Sequence, residues 1–355
     1  MTRQQSERTA WVAGILGLIG ALIAWLILPS AFPHAWLAAL TVWTGWPVGC
    51  MGLLLVHALT GGRWGYAIRP QLIGGMLTLP LLLPALIPIL IQLSALYPWT
   101  RPDVAAHLDN RFYLNLPFFV GRRIAYVILW LGLSALILRA LRRENPDAAL
   151  ARIAPLGLIV LAITATYSAI DTTMSLDPQF TSSVYGLIAI AQMGLFALSV
   201  SLFAAALGSS PDDSTMPSLG QLLLGLLILW AYLDFMQLLI VWQSDLAKQA
   251  PWYILRWSGT WGIVAAVAAA CHFALPFFAL IWPQVRRSRR AIAGVTALLI
   301  VSEVVQGWWL VLPASGRGFG AIDVLAMLGL LGVAAALALR APLLPGMPEI
   351  VRRYA

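Results

Sequence analysis

Ionisable and amide side chains interrupt several long apolar stretches of this sequence. Asp234 and Gln237 lie three residues apart in one stretch, and Glu303 and Gln306 repeat that spacing in another. Because residues three apart are neighbours on a helix surface, each pair shares one helix face. His272 lies in a third stretch. Carboxylates and imidazoles in apolar surroundings can exchange protons near neutral pH, so these groups could form a proton path.

Residue counting along the stretches places these groups at different depths. Asp323 lies near one end of its stretch, and His57 lies near the opposite face of the membrane. Asp234 lies somewhat outside the middle, whereas Glu303 and His272 lie near it. This spread of depths predicts a proton relay. The alternative is that the same groups join helices by hydrogen bonds, which is common in helix bundles.

A second group of charged side chains lies at the ends of the stretches and in the loops between them: Asp171 and Asp177, Arg101 and Asp103, Arg122 and Arg123. Carboxylates and guanidinium groups at one membrane face can pair with one another, hydrogen-bond a quinone head group, or hold a partner protein. Pairing within the fold is the simpler interpretation of each pair taken alone.

The elements that must position these side chains are membrane-spanning helices. The sequence is 61% hydrophobic and 10% charged, with mean hydropathy +0.85, whereas soluble domains carry about 25% charged residues. A helix needs about 20 apolar residues to cross a bilayer. We predict an all-α polytopic membrane protein with spans at 10–30, 35–60, 71–96, 116–139, 151–171, 183–207, 217–243, 259–282, 291–312 and 320–340. Residues 1–9 and 341–355 are then the terminal tails of one membrane domain, 10–340.

The distribution of basic residues predicts the orientation. Fifteen of the 22 Lys and Arg residues fall on the face that carries both termini, and seven fall on the opposite face. The excess places both termini in the cytoplasm. The longer loops at 97–115, 172–182 and 244–258 then lie outside, where they could form a docking surface. Pro80, Pro84 and Pro88 predict a bent or opened third helix, because each proline removes a backbone donor.

The sequence lacks the residues that several classes of protein function require. Cys50 and Cys271 are the only cysteines, which excludes a disulfide framework, covalently attached haem and iron–sulfur ligation. Two membrane-embedded histidines at different depths are also few for bis-histidine haem. The sequence has no Walker-type loop, HExxH or GxSxG motif. Its basic residues lie mostly between apolar stretches and therefore indicate topology rather than nucleic-acid binding.

Four stretches carry a family resemblance. They are YPWTRP at 97–102 with YLNLPFF at 113–119, DTTMSLDP at 171–178 with YG at 185–186, LWAYLDFMQ at 229–237 with Trp242, and PWY at 251–253 leading to HFALPF at 272–277. In this order and spacing they resemble the F-type membrane subunit, or quinone-binding subunit 2, of alternative complex III. That complex is a quinol:cytochrome c oxidoreductase, and the subunit is related to the polysulfide reductase (NrfD-like) membrane subunits. The resemblance covers roughly residues 90–285.

The resemblance implies a fold, partners and cofactors. The fold has ten helices, in two four-helix bundles with a peripheral helix on each side. The implied partners in a bacterial inner membrane are a paralogous NrfD-like membrane subunit and periplasmic multihaem cytochrome c and iron–sulfur subunits, which hold the haem and the clusters. A quinone is the implied small ligand. The carried-over positions are Asp171, Asp177, Asp234, Gln237 and His272, as lining of a quinone-side cavity or as a proton path.

Two positions depart from the family pattern. The family often has Trp after the first acid of the DTTMSLDP motif and Glu at the second acid, where this chain has Thr172 and Asp177. Carboxylate chemistry is retained at these positions, but ring stacking at Thr172 is not. Two other functions stay open at this point, a proton-coupled secondary transporter and a stand-alone membrane scaffold. Transporters often contain inverted repeats, and the sequence shows no repeat.

Overall fold

The computed structural model describes residues 2–208, 214–244 and 246–341 of the chain. These residues contain ten helices that are long and apolar enough to cross a membrane and contain no β-strand. The protein is therefore an all-α, multi-pass membrane protein. The helices are α1 (Arg3–Ile27), α2 (Phe32–Thr60), α3 (Arg63–Ile91), α4 (Leu116–Leu141), α5 (Pro146–Thr172), α6 (Tyr185–Leu207), α7 (Met216–Gln243), α8 (Gly259–Ile281), α9 (Arg289–Val311) and α10 (Ala321–Arg340).

Each of the ten predicted spans overlaps one of these helices. The termini differ in detail from the prediction. Helix α1 begins at Arg3, with Thr2 as a capping residue that accepts a hydrogen bond from the backbone N–H of Gln5. Most of the predicted N-terminal tail therefore continues the first helix. The predicted C-terminal tail lies outside the described residues, apart from Ala341.

Helix α3 is broken at the point where its prolines predict a bend. It consists of a first half at Arg63–Met76 and a second half at Leu82–Ile91, joined through a short 3-10 segment at Leu79–Leu81. Pro80 and Pro84 have no backbone N–H to donate at this junction. The second half consequently takes its own direction and packs against α2 and α4.

Helix α2 is the centre of the fold. It packs against α3, α5, α6, α9 and α10, and most of its length is buried, which explains why it is apolar on all sides. Contacts from α2 to α3 and α5, and between α4 and α5, form one bundle. Contacts from α6 to α7 and α9, and from α8 to α7 and α9, form the second. The two bundles meet where α2 contacts α6 and α9.

The two outer helices, α1 and α10, pack against each other. The expectation of one peripheral helix on each side of the bundles is therefore corrected. Glycines on both helices allow the contact: a β-carbon added at Gly17 would lie 2.4 Å from the backbone N of Gly329, and one at Gly14 would lie 2.5 Å from that of Val333. Small residues at such crossings let membrane helices approach closely.

Short helical segments cover one end of the bundles. They lie at Leu93–Leu96, Pro98–Thr100 and Pro102–Ala105 between α3 and α4, at Met174–Leu176 after α5, and at Ala250–Trp257 between α7 and α8. We call this end the loop face, and the opposite end, where α1 begins and α10 ends, the terminal face. The loops of the loop face close over the interior, whereas the connection between α2 and α3 on the terminal face is only two residues long.

Candidate intramembrane cavity

A cavity of about 100 Å³, with polar side chains set in a mainly apolar wall, lies between the two bundles, in the half of the protein nearer the loop face. Its walls come from α2, α4, α5, α6, α7 and α9, from the second half of α3, and from the short helix Ala250–Trp257. A buried water needs roughly 10–15 Å³ of such space, so the cavity has room for several water molecules. Both predicted pairs line it, Asp234 with Gln237 and Glu303 with Gln306.

Glu303 is buried in the cavity wall and lies against His272. Its Oε1 accepts a hydrogen bond of 3.0 Å from Nε2 of Gln192, and its Oε2 lies 3.7 Å from Nε2 of His272. The other imidazole nitrogen, Nδ1, lies 2.8 Å from Oγ of Ser302. The Trp230 ring packs edge-on to the imidazole at 4.5 Å. These contacts hold one face of the imidazole towards the carboxylate.

The facing atoms of Glu303 and His272 have no hydrogen-bond partner within the described part of the chain. A gap of 3.7 Å is too long for a direct hydrogen bond. A side-chain movement or a bridging water would have to close this gap before a proton could pass between the two groups.

A π-helix places His272. Helix α8 is interrupted at Ala269–Ala274 by this wider turn, which is rare in proteins and often marks functional sites. The extra residue per turn rotates His272 relative to a regular helix. The imidazole thereby reaches the buried interface with α9 while its neighbour Cys271 remains partly exposed.

Asp234 and Gln237 lie on the α7 side of the cavity. Oε1 of Gln237 accepts a hydrogen bond from the hydroxyl of Ser182. Asp234 accepts no hydrogen bond from the described residues and lies near Tyr253 of the short helix. Burial and the Asp234 carboxylate raise the pKa of Tyr253 above its ordinary value, so the phenol stays protonated. Asp234 thus faces the cavity without a fixed partner.

Two buried arginines lie where the cavity meets the loop face. Arg123 lines the cavity, and its Nη2 donates to Oγ1 of Thr172 at 2.7 Å. Arg256 donates to the backbone carbonyl of Leu310 at 2.8 Å and stacks on the Trp252 ring at 3.9 Å. Burial lowers the pKa of Arg256 to about 10, which leaves it charged at neutral pH. Neither guanidinium forms an ion pair with a carboxylate of the described residues, so positive charge surrounds this end of the cavity.

The Asp171 carboxylate, in contrast, is fully hydrogen-bonded and completely buried. Arg122 forms a two-point contact with it, at 2.9 Å from Nε and 2.8 Å from Nη2. The hydroxyls of Tyr113 and Tyr126 each donate to it at 2.8 Å. Burial and the carboxylate together raise the pKa of Tyr113, which keeps it a donor. We call these four residues the Asp171 cluster.

Two predicted members of the relay lie away from the cavity. Asp323 caps the start of α10 and pairs with Arg317, with nitrogen–oxygen distances of 2.9 and 2.5 Å. His57 lies at the terminal face, where its Nδ1 is 3.1 Å from Nη2 of Arg69, which also pairs with Asp147 at 2.9 Å. Neither Asp323 nor His57 lines the cavity. The structure therefore brings together Asp234, Gln237, Glu303, Gln306 and His272 but not the two ends of the predicted relay.

The remaining predicted residues lie on the loop face. Asp177 accepts a hydrogen bond from the backbone N–H of Gln179 at 3.1 Å. Arg101 and Asp103 are exposed and form no ion pair with the described residues. They remain candidates for contacts with another molecule. Gln192 and Arg256 were missed by the sequence analysis; an arginine between Trp252 and Trp257 is a signal that could have indicated the latter.

Parts of three motif stretches meet at the loop face. Tyr97 of the first stretch donates to the backbone carbonyl of Thr172 in the second at 3.1 Å. Phe180, just after the second stretch, stacks on Trp252 of the fourth at 4.5 Å. Thr172, where the family often has Trp, is the acceptor for Arg123. These contacts join the first, second and fourth stretches at the loop-face end of the cavity.

The fold and this site define a ten-helix membrane protein with a polar cavity enclosed between two helix bundles. Comparison of the sequence with models of protein families finds no match, and neither does comparison with curated proteins.

Proposed function

We propose that this chain is a membrane subunit of a quinol-oxidising complex, in which the cavity carries protons released from the quinol. The observation that carries the proposal is the placement of two carboxylates, Asp234 and Glu303, on one cavity with few fixed hydrogen bonds. A carboxylate in the membrane interior is costly unless it is paired or used. The Asp171 carboxylate is paired with Arg122 and two tyrosine hydroxyls. The carboxylates of Asp234 and Glu303 have no such set of partners among the described residues.

The proton route follows from the order of the groups. Asp234, beside Tyr253, is the acceptor nearer the loop face, and water in the cavity joins it to Glu303. Glu303 passes the proton to Nε2 of His272 across the 3.7 Å gap. Carboxylate and imidazole side chains are among the groups that proteins most often use to transfer protons.

The redox part of the proposal is supported by the motif stretches and by the residues around the cavity. Oxidation of a bound quinol releases protons and electrons. Aromatic rings of Trp130, Trp252 and Trp309 line the cavity with hydrogen-bonding side chains, a mixture that suits a flat, polar ring. The electrons would leave to haem and iron–sulfur centres in partner subunits, because this chain lacks the cysteines to hold such centres.

The same proposal includes the orientation of the chain in the membrane and its partner subunits. The loop face lies in the periplasm of a bacterium and docks the multihaem cytochrome c and iron–sulfur subunits, with Arg101 and Asp103 as exposed contact residues. The termini lie in the cytoplasm, as the excess of basic residues on that face favours. A paralogous NrfD-like subunit lies alongside in the inner membrane.

Substitutions in the cavity test the proton path. In proteoliposomes containing the whole complex, Asp234→Asn and Glu303→Gln should abolish proton release coupled to quinol oxidation while leaving subunit composition unchanged. Glu144→Gln is the matched control, since it removes an exposed carboxylate on the terminal face that does not line the cavity. Normal coupling in both cavity variants would overturn the proton path.

Purification tests membership of a complex. A tag on this chain, with solubilisation in mild detergent, should bring down stoichiometric c-type haem and non-haem iron, measured by absorbance and by metal analysis. A single protein species without either would contradict the redox-complex proposal.

A further inference from the structure

An apolar groove of about 340 Å³ opens on the side of the protein at mid-membrane depth. Four helices form it, α2, α5, α6 and α7, and every side chain of its lining is apolar. Leu187, Leu229 and Val56 at its edge are exposed, so the groove faces the surrounding lipid. A hydrophilic solute cannot use such an opening, because nothing there replaces its hydrogen bonds to water.

Glycines keep the groove open. A β-carbon added at Gly194 would have a single neighbouring atom, a methyl of Leu226 at 3.9 Å, and one at Gly52 would have only a methyl of Leu161 at 3.6 Å. Neither glycine is therefore required for close helix packing. Gly49, in contrast, contacts α6 so closely that an added β-carbon would lie 2.0 Å from the carbonyl oxygen of Met193.

The groove adjoins the cavity at Met193. Met193 lines both, with Gln192 on the cavity side and Gly194 on the groove side. The Met193 side chain lies near Gly45 of α2, where an added β-carbon would be 3.5 Å from its Cγ. A flexible, unbranched thioether is the side chain best able to move aside at such a boundary. Movement of the Met193 side chain would connect the groove with the cavity.

We propose that the groove holds the apolar chain of a membrane-dissolved quinol whose head group lies in the polar cavity, with Met193 at the junction. This inference rests on the proposed function. It adds the path by which the quinol enters and the place where its hydrocarbon chain binds. The occupant must combine a hydrogen-bonding head with a long hydrocarbon chain, because the two adjoining spaces have those two chemistries. An aqueous substrate matches only one of them.

Filling the groove tests the proposal. The full chain in lipid nanodiscs is titrated with ubiquinone and menaquinone, each with a single isoprene unit or with a full-length chain, and binding is followed by quenching of tryptophan fluorescence. Gly194→Leu and Gly52→Leu should weaken binding of the long-chain quinones about tenfold or more, since the added side chain displaces methylene groups of the chain from the groove. Binding of the short-chain forms should stay within about twofold of wild type.

Gly132→Leu is the matched control. Gly132 lies on α4 with open space around it and lines neither the groove nor the cavity, so both chain lengths should bind as in wild type. Long-chain binding unaffected by Gly194→Leu and Gly52→Leu overturns the inference, as does an equal loss for both chain lengths. Wild-type protein that binds neither form contradicts the quinol part of the proposed function and the groove with it. Only the difference between chain lengths in the variants concerns the groove alone.

Discussion

The Asp171 cluster and the cavity contain the same kind of group in opposite settings. Asp171 receives four hydrogen bonds, from Arg122, Tyr113 and Tyr126. Glu303 receives one, from Gln192, and faces His272 across a gap. Both carboxylates are buried, so burial alone does not distinguish a structural group from a reactive one.

The number of fixed donors makes the distinction. Four hydrogen bonds to one carboxylate tie together the elements that supply the donors. A carboxylate with free lone pairs beside water can take and release a proton. We therefore assign the Asp171 cluster to stability and the cavity pair to proton transfer.

The largest expected effect is the loss of stability in Asp171→Asn. The amide cannot accept the two-point contact, and the partly buried Arg122 loses its carboxylate partner while still donating to the backbone carbonyl of Tyr113. Breaking a buried pair from one side costs about 3–5 kcal/mol. Thermal unfolding in detergent, followed by circular dichroism, should show a large decrease in midpoint. A midpoint equal to that of Asp103→Asn would show that the cluster is not structural.

A smaller loss of stability is expected in Tyr113→Phe, which removes one of the four hydrogen bonds to Asp171. Hydrogen bonds to charged groups contribute about 1.5–3 kcal/mol each. The same unfolding assay should give a decrease clearly smaller than that of Asp171→Asn, with quinol-coupled proton release unchanged. Loss of proton release in a well-folded Tyr113→Phe protein would remove the separation between the two regions.

His272→Gln should have the opposite profile. Glutamine can still hydrogen-bond Ser302, but it cannot carry a proton. Positioned acid–base groups typically contribute 10²–10⁴-fold to rates, so proton release should slow at least about tenfold while the unfolding midpoint changes little. The rate is measured with a pH-sensitive dye in proteoliposomes. An unchanged rate would exclude His272 from the path.

The sequence was sufficient for the fold class and for part of the site. Long apolar stretches correspond to helices because a bilayer admits little else, and the three-residue spacing correctly placed Gln237 and Gln306 on the same cavity as their acids. Residue counting gives depth but not lateral position. Asp323 and His57 therefore appeared in the predicted relay, although their partners hold them elsewhere in the fold.

The features that the sequence did not predict depend on contacts between residues far apart in the chain. The donors to Asp171 lie 45 to 58 residues away in the chain. No local sequence pattern therefore indicates how many donors contact this carboxylate. The π-helix around His272 has no signature in the apolar sequence of α8. The contact of α1 with α10 depends on glycines in both helices. Nothing in the sequence around these glycines indicates that the two helices pack together.

The smallest expected effect is that of Asp177→Asn. This carboxylate accepts one backbone hydrogen bond, from Gln179, and lies in a loop at the surface of the loop face. Its removal should change the unfolding midpoint by an amount typical of surface sites, within about 0.5 kcal/mol, and leave proton release intact. A clear loss of proton release would extend the path from the cavity to the loop face.

Infrared difference spectroscopy on reduction and oxidation of the quinone pool tests the central claim most directly, because it detects protonated carboxyl groups individually. We predict a carbonyl band of a protonated carboxyl that disappears in Glu303→Gln and persists in Glu144→Gln. A wild-type spectrum without such a band, or a band that persists in both Glu303→Gln and Asp234→Asn, would contradict proton transfer through the cavity.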